Sequence, residues 1–122
     1  MEADLANLPR AGSLLAASWF ALCGHDVSWP LEPCRYDLLV HLDVGLRRIQ
    51  VKTTRVRSRG SWTVWLSSTR KGRTPYDPDD IDYFFVVDGD LSYYLIPARV
   101  VGGLHAVRLA SYSQYQVNAV LA

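Results

Sequence analysis

Two segments in the middle of the chain alternate between apolar and polar residues. They span residues 36–43 and 46–54, and a period of two is typical of β-strands with one buried face. Val44 and Gly45 stand between them and predict a two-residue turn. The two segments are therefore predicted to form an antiparallel hairpin.

This hairpin sorts its side chains onto two faces, because residues opposite each other across two strands point the same way. Asp37 is predicted to lie opposite Lys52, with Gln50 on the diagonal. One face is apolar and is expected to meet the core: Leu38, Val40, Leu42, Ile49 and Val51. The other face is mostly polar: Asp37, Leu39, His41, Arg48, Gln50 and Lys52.

The rest of the pattern predicts a helix followed by mostly antiparallel strands. The helix covers residues 12–24, where apolar residues recur at helical spacing (Leu14, Leu15, Trp19, Leu22) and Gly24 suits the C-terminal stop. A loop is expected at 57–60, further strands at 61–67, 83–87, 92–96 and 107–109, and a closing helix at 112–121. This order predicts the α/β or α+β class, and the length of 122 residues predicts a single domain over 1–122.

The composition narrows the class of protein further. Apolar residues make up 49% and charged residues 20%, which is the profile of a globular protein in water. No apolar run approaches the length of a membrane span, so no membrane partner is expected. Two cysteines, Cys23 and Cys34, are too few for a disulfide framework, and we expect them to be reduced in a cytoplasm.

Charge is segregated along the chain although the net charge is only +1. Residues 44–76 contain no Asp or Glu and hold nine of the thirteen Lys and Arg residues. Residues 77–90 then hold six acids and no Lys or Arg. Such a basic block predicts a positive surface that binds a polyanion.

The polar face of the hairpin suggests chemistry that fits this partner. The carboxylate of Asp37, the amide oxygen of Gln50 and the Val51 carbonyl are ligands that suit Mg²⁺. The ammonium of Lys52 would stabilise charge that develops on a phosphate. The residues expected to bind the DNA backbone are Arg48, Thr53, Arg55, Arg57, Arg59, Arg70, Lys71 and Arg73. The alternative interpretation is a plain surface ion pair between Asp37 and Lys52.

At these residues the chain resembles the PD-(D/E)XK nuclease superfamily. The family pattern is an Asp on one strand, then an acid or amide, one residue and a Lys on the next, and here it is Tyr36-Asp37 and Gln50-Val51-Lys52. The chain is more similar to the small branch that contains the cyanobacterial group I intron homing endonuclease, which also tends to have Gln at the second acidic position. Three further stretches agree with that branch: HDVSWP, YDPDDIDYFFVV and YYLIP.

The resemblance implies a restriction-endonuclease-like core, with a central mixed β-sheet flanked by helices. It implies that Asp37 is the principal metal ligand, that Gln50 occupies the second acidic position and that Lys52 is the catalytic lysine. Thr53 and Arg55 would lie next to the scissile phosphate.

The first helix departs from the family pattern. The family usually has a Glu near the start of this helix, and the corresponding position here is Ser13, which carries no negative charge. With Gln50 also neutral, the site is expected to hold one firm carboxylate. This predicts weak metal affinity or dependence on the substrate phosphate.

Residues and resemblance together predict a Mg²⁺-dependent DNA endonuclease, with Mn²⁺ as a substitute, that hydrolyses phosphodiester bonds through a metal-activated water. The partner is expected to be double-stranded or branched DNA, and a homodimer or homotetramer would provide two active centres. A site-specific homing endonuclease and a Holliday junction resolvase both remain open. A non-catalytic DNA-binding module on a degenerate nuclease fold is the alternative from another class. A bacterial, archaeal or phage-encoded cytoplasmic protein is expected.

Overall fold

The computed structural model describes residues 1–32, 34–67 and 76–118. A short 3-10 helix at Leu5–Asn7 leads into the first α-helix, and a second 3-10 segment at Leu109–Tyr115 lies near the C-terminus. The α-helices are α1 (Leu8–Leu22) and α2 (Ala98–Val101). The strands are β1 (Asp26–Ser28), β2 (Leu38–Leu42), β3 (Gly45–Thr53), β4 (Val56–Ser58), β5 (Ser61–Trp65), β6 (Tyr83–Val87), β7 (Tyr93–Pro97), β8 (Ala106–Arg108) and β9 (Gln116–Val117).

The larger sheet has six strands in the order β1-β2-β3-β6-β7-β9. Strands β3 and β6 are parallel, whereas their other neighbours pair antiparallel, so the predicted central mixed sheet is confirmed. Between β3 and β6 the chain leaves this sheet to contribute two strands, β4 and β5, to a second one. The parallel pair places the C-terminal ends of β3 and β6 side by side, with Thr53 opposite Val87.

The smaller sheet has three strands in the order β4-β5-β8. Its first strand corrects the expectation of a loop at residues 57–60, because Arg57 pairs with Trp62 across β4 and β5. The turn is confined to Arg59 and Gly60, which take positive φ values of 52° and 77°. The alternation of apolar and polar residues did not indicate this strand, because the segment consists largely of basic and polar residues.

Helix α1 covers one face of the larger sheet. Its buried stripe differs from the expected one: Leu8, Gly12, Ala16 and Phe20 are buried, whereas Leu14 and Leu22 are 62% and 66% exposed. Small residues occupy this stripe because the helix lies very close to β3. A Cβ added to Gly12 would come within 2.6 Å of Thr53 Cγ2. The helix also begins four residues earlier than predicted.

The described residues build an apolar layer on the opposite face of the larger sheet over only part of its width. A second apolar cluster joins β6 and β7 to the smaller sheet, built around Phe84, Val86, Ile96, Val64 and Leu66. On β2 and β3 the same face carries polar side chains, and Asp37, Gln50 and Lys52 are half-buried there. The uncovered strip therefore borders the smaller sheet.

The C-terminal segment is not the predicted closing helix. Residues 109–115 form a 3-10 segment that is kinked at Tyr112 (φ −123°), and β9 then adds to the edge of β7. The edge of β7 offers unpaired backbone groups, and pairing with them satisfies Gln116 and Val117 better than a marginal helix would. Residues 119–121, which the predicted helix also included, lie outside the described residues.

The turn of the central hairpin is also corrected. It consists of Asp43 and Val44, since Leu42 pairs with Gly45 and Leu38 with Ile49. Gly45 has a φ of 122° as the first residue of β3. A glycine directly after the two central residues is common in such turns, so it marks the start of the strand and not the turn itself.

In the described part of the chain, no helix combines the length and the apolar character needed to cross a membrane.

Candidate active site

The observed register brings Asp37 and Gln50 together at the open end of the hairpin. The last pair of the ladder is Leu38 with Ile49, and the backbone N–H of Asp37, the residue before Leu38, also donates to the Ile49 carbonyl at 2.8 Å. The predicted register, with Asp37 opposite Lys52, is therefore wrong by two residues. The register moved by an even number of residues, so each side chain remains on the face that the sequence predicted.

Asp37 stands where β2 begins, and its carboxylate extends the hydrogen-bond ladder of β3. Its Oδ2 atom accepts the Val51 backbone N–H at 2.7 Å and the Gln50 Nε2–H at 3.1 Å. Both donors use the same oxygen. Oδ1 accepts no hydrogen bond from the described residues and is free to bind a ligand.

Lys52 lies on the same face, half-buried beside Asp37. Within the described ranges its ammonium group has no hydrogen-bond or ion-pair partner, and the charge of Asp37 is the one that acts on it. An ammonium group held in this way keeps its donors available for a ligand.

Burial shifts both ionisable groups toward their neutral forms. Burial raises the pKa of Asp37, while the Val51 N–H and the charge of Lys52 oppose the rise. Burial also lowers the pKa of Lys52, and the charge of Asp37 only partly restores it. Shifts of this kind, produced by desolvation in an open strip of a sheet, are common at functional sites.

The donor set suits a hard divalent cation. The Val51 N–H points toward Asp37, so the Val51 carbonyl points the same way, because both groups of a strand residue face one neighbour. Asp37 Oδ1, Gln50 Oε1 and this carbonyl are oxygen ligands of the kind that Mg²⁺ binds, with substrate and water completing the shell. Among the described residues no three His, Cys, Asp or Glu side chains form a metal cluster, so one carboxylate would hold the ion.

Arg48 takes a different position from the one expected of a DNA-binding residue. Its guanidinium binds Asp82 with two hydrogen bonds, from Nε to Oδ2 at 3.1 Å and from Nη2 to Oδ1 at 3.2 Å. The Arg48 backbone N–H donates to the same carboxylate at 2.7 Å, and Nη1 donates to the Asp79 carbonyl. The carboxylate of Asp82 thus links β3 to the residue before β6, where the pairing of the two strands begins.

The pKa shifts of Arg48 and Asp82 favour their charged forms, whereas those of Asp37 and Lys52 favour the neutral forms. The hydrogen bond to Asp82 raises the pKa of Arg48. Partial burial acts to raise the pKa of Asp82, but the hydrogen bonds and charge of Arg48 outweigh it and hold that pKa below its ordinary value. Each partner stabilises the charged form of the other.

The other basic residues continue from β3 into the smaller sheet. Arg55, Arg57 and Arg59 are exposed, and the side chains of Arg55 and Arg59 have no ion-pair partner among the described residues. Arg57 contacts Trp62 and Asp90. The remaining predicted members of the basic surface, Arg70, Lys71 and Arg73, lie outside the described residues.

Thr53 and Ser13 both lie on the α1 side of the sheet, away from the polar face. Thr53 follows Lys52 and points to the opposite side of the sheet, where its Cγ2 faces Gly12. Ser13 is the next residue of α1 and is half-buried. The helix position expected to carry a Glu is therefore adjacent to the point where α1 contacts the site end of β3.

A pocket of about 280 Å³ lies at the other end of β3, and its lining includes Arg47, Asp82, Tyr83 and Arg99. None of Asp37, Gln50 and Lys52 lines it. The pocket is therefore separate from the three predicted site residues.

Sequence reasoning missed three polar residues that the structure brings close to the predicted ones. Asp82 pairs with Arg48, Asp90 contacts Arg57, and Arg108 donates from Nη2 to the Arg59 carbonyl at 3.1 Å. The excess of acids at residues 77–90 was a signal that some arginines are paired. The sequence could not indicate which ones, because the partners are up to 49 residues apart.

Comparison with known proteins agrees with this geometry. The family model of the PD-(D/E)XK endonuclease matches residues 12–119. A structure described as that of a bacterial homing endonuclease, I-Ssp6803I, superposes with a TM-score of 0.72 at 23% identity, covering 82% of this chain and 74% of that chain. No curated protein matches the chain. The family match covers most of the chain, and the chain therefore belongs to the PD-(D/E)XK endonuclease family.

Proposed function

We propose that the chain is a divalent-metal-dependent DNA endonuclease that hydrolyses phosphodiester bonds. The observation that carries the proposal is the arrangement of Asp37, Gln50 and Lys52 on one polar strip of the sheet, where Asp37 Oδ1 and the Lys52 ammonium group have no hydrogen-bond partner among the described residues. The family membership supports the same activity.

Each residue has a distinct role in this proposal. Asp37 Oδ1, Gln50 Oε1 and the Val51 carbonyl would hold Mg²⁺ or Mn²⁺. When bound, the ion supplies Lewis-acid chemistry that activates water and neutralises charge on the phosphate. Gln50 and the Val51 N–H orient the Asp37 carboxylate through its other oxygen.

Lys52 acts on the phosphate itself. Its ammonium group donates hydrogen bonds to the non-bridging oxygens, where negative charge grows as the attacking water approaches phosphorus. Partial burial strengthens this interaction, because fewer water molecules compete for the ammonium protons. The exposed arginines that follow β3 hold the backbone of the DNA.

The proposal extends to the substrate and the assembly. The similarity to a bacterial homing endonuclease supports site-specific cleavage of duplex DNA. A Holliday junction resolvase is the competing specialisation, and in either case a homodimer or homotetramer of this single domain would supply the second active centre.

A non-catalytic DNA-binding module is the second candidate. One observation favours it: Asp37 is the site's carboxylate, while Gln50 and Ser13 occupy the positions of the other two acids. It predicts DNA binding that weakens steeply with salt and no turnover in either metal.

The test is cleavage of three substrates: supercoiled plasmid, linear duplex and a four-way junction. Each is incubated with Mg²⁺, with Mn²⁺ or with EDTA, using the wild type and Lys52→Ala. Arg47→Ala is the matched control, because it removes one positive charge from the same strand about 17 Å before Lys52.

Cutting of duplex at a defined site, lost in Lys52→Ala and kept in Arg47→Ala, would support a site-specific endonuclease. Symmetric cutting of the junction alone would support a resolvase. Binding of DNA without cutting in either metal would overturn the catalytic proposal and leave the binding module.

A further inference from the structure

A cluster of four residues joins the smaller sheet to the larger one near the site. Arg57 and Trp62 form a cross-strand pair of β4 and β5, and the Arg57 guanidinium carbon lies 4.6 Å from the centre of the Trp62 ring. Arg57 Nη2 also donates to the Gly60 carbonyl at 3.0 Å. The guanidinium is therefore held over an indole ring at an exposed edge of the protein.

The turn after β6 forms the other half of the cluster. Gly89 faces the Trp62 ring so closely that a Cβ there would come within 2.5 Å of Trp62 Cη2. Trp62 Nε1 donates to Asp90 Oδ2 at 3.0 Å. The turn itself is fixed by the buried Asp88, whose Oδ1 accepts the backbone N–H groups of Asp90 and Ser92 at 2.9 and 3.0 Å.

The cluster lies at the same end of the sheet as the candidate site. Val87, the last residue of β6, pairs with Thr53, and Lys52 pairs with Val86. The turn that carries Gly89 and Asp90 follows directly. A nucleic acid that reaches Lys52 from the side of the smaller sheet would pass this edge.

The ion pair within the cluster is loose. Arg57 Nη1 and Asp90 Oδ2 are 3.9 Å apart, too far for a hydrogen bond, and their side chains are 51% and 67% exposed. Exposed pairs at such distances contribute little to stability. Among the described residues, Asp90 is nevertheless the one carboxylate within ion-pair distance of Arg57, although the charge of Arg57 also acts on the buried Asp88.

A phosphate would satisfy Arg57 better than Asp90 does. A guanidinium offers a planar fork of donors that matches two phosphate oxygens, and the Trp62 ring already limits its rotation. Asp90 also accepts the Trp62 Nε1–H. Its side chain therefore stays in position when Arg57 binds another anion.

We propose that Arg57, held on Trp62, binds a backbone phosphate of DNA next to the cleavage site, and that Asp90 is the resident counter-ion which this phosphate displaces. The proposal rests on the DNA-binding function argued above. Its consequence is that Asp90 lowers the affinity for DNA, because the phosphate that binds Arg57 must first displace Asp90.

The experiment measures binding of a fluorescently labelled duplex by anisotropy in EDTA, over a series of salt concentrations. Asp90→Asn keeps an acceptor for Trp62 and removes the charge that competes for Arg57. Arg57→Gln removes the phosphate contact but keeps a donor for the Gly60 carbonyl. Asp43→Asn is the matched control, because it also removes one negative charge, at the exposed turn on the opposite end of β3.

Asp90→Asn is expected to bind DNA about two- to fivefold more tightly than Asp43→Asn, the range that an exposed ion pair supplies. Arg57→Gln should bind more weakly and reduce the slope of log K against log salt by about one. The double variant should bind like Arg57→Gln, because Asp90 acts through Arg57. A purely structural role of Asp90 would not give this dependence.

Two results would overturn the inference: Asp90→Asn binding no more tightly than Asp43→Asn, or its gain persisting when Arg57 is replaced by Gln. In both cases DNA binding by the wild type would still support the proposed function. No binding by the wild type at any salt concentration would instead overturn the proposed function together with this inference.

Discussion

The two ends of β3 carry polar pairs that are built in opposite ways. At the N-terminal end, Arg48 and Asp82 share two side-chain hydrogen bonds, and each stabilises the charged form of the other. At the C-terminal end, Asp37 and Lys52 are neighbours without a direct contact, and burial disfavours the charge of both. One pair holds two strands together, and the other keeps its reactive atoms for a ligand.

The difference shows how one strand can serve both stability and function. A carboxylate and a cation that satisfy each other contribute to folding and offer nothing to a substrate. Groups that are left partly desolvated and unpaired cost stability but interact strongly with a phosphate or a metal ion. The two ends should therefore respond to mutation in opposite ways.

The largest effect is expected for Lys52→Met, which keeps the aliphatic stem and removes the charge. Cleavage of the preferred substrate should fall by at least about 100-fold, the scale of one lost donor to a developing negative charge. Thermal stability should stay the same or rise, because a desolvated ammonium group is gone. Single-turnover cleavage rates and a melting curve test both parts, and a clear loss of stability would break the comparison.

Asp82→Asn should be the most destabilising change at the other end. The folded state loses the charged partner of Arg48, at a cost of about 1–2 kcal/mol in the free energy of unfolding. The cost is modest because 34% and 29% of the Arg48 and Asp82 side chains remain exposed. Urea unfolding measures it, and Asp77→Asn, an exposed acid of the same segment, is the control. Equal effects of the two changes would contradict the structural role of Asp82.

The stability contributed by Asp82 should depend on pH with a defined sign. Partial burial acts to raise the pKa of Asp82, but Arg48 outweighs it and the folded value lies below the ordinary one. The contribution is therefore present above the pKa of the unfolded chain and is lost as pH falls through the folded value. Wild type and Asp82→Asn should differ by a constant amount from pH 7 down to about pH 4 and converge below it. Convergence at higher pH would contradict the pairing.

The smallest effect on stability is expected for Asp37→Asn, and it has the opposite sign to the effect of Asp82→Asn. Burial raises the pKa of Asp37, so its contribution to stability is present below the unfolded pKa and is lost as pH rises through the folded value. At pH 7 the Asn variant should be as stable as the wild type or more stable by a few tenths of a kcal/mol, while metal-dependent cleavage is lost. Destabilisation on the scale of Asp82→Asn would show that Asp37 is a structural residue.

Local pattern determined much of this protein. Alternation predicted both strands of the central hairpin and sorted their side chains onto the right faces, because the pleat of a strand fixes orientation at every second residue. The apolar strand at 83–87 was also evident from its own residues. The spacing of Gln50 and Lys52, with Asp37 on the strand before, predicted which residues gather at the open end.

Only the tertiary structure decided the register of that hairpin and the partners of the arginines. The position of Gly45 moved the turn by one residue, and the resulting register brings the Asp37 carboxylate to the Gln50 side chain. Arg48 and Arg57 resemble Arg55 and Arg59 in sequence, but they meet Asp82 and Asp90 because β6 returns beside β3. Strand periodicity is a local property of the chain, whereas a charge is paired or free according to which distant segment folds against it.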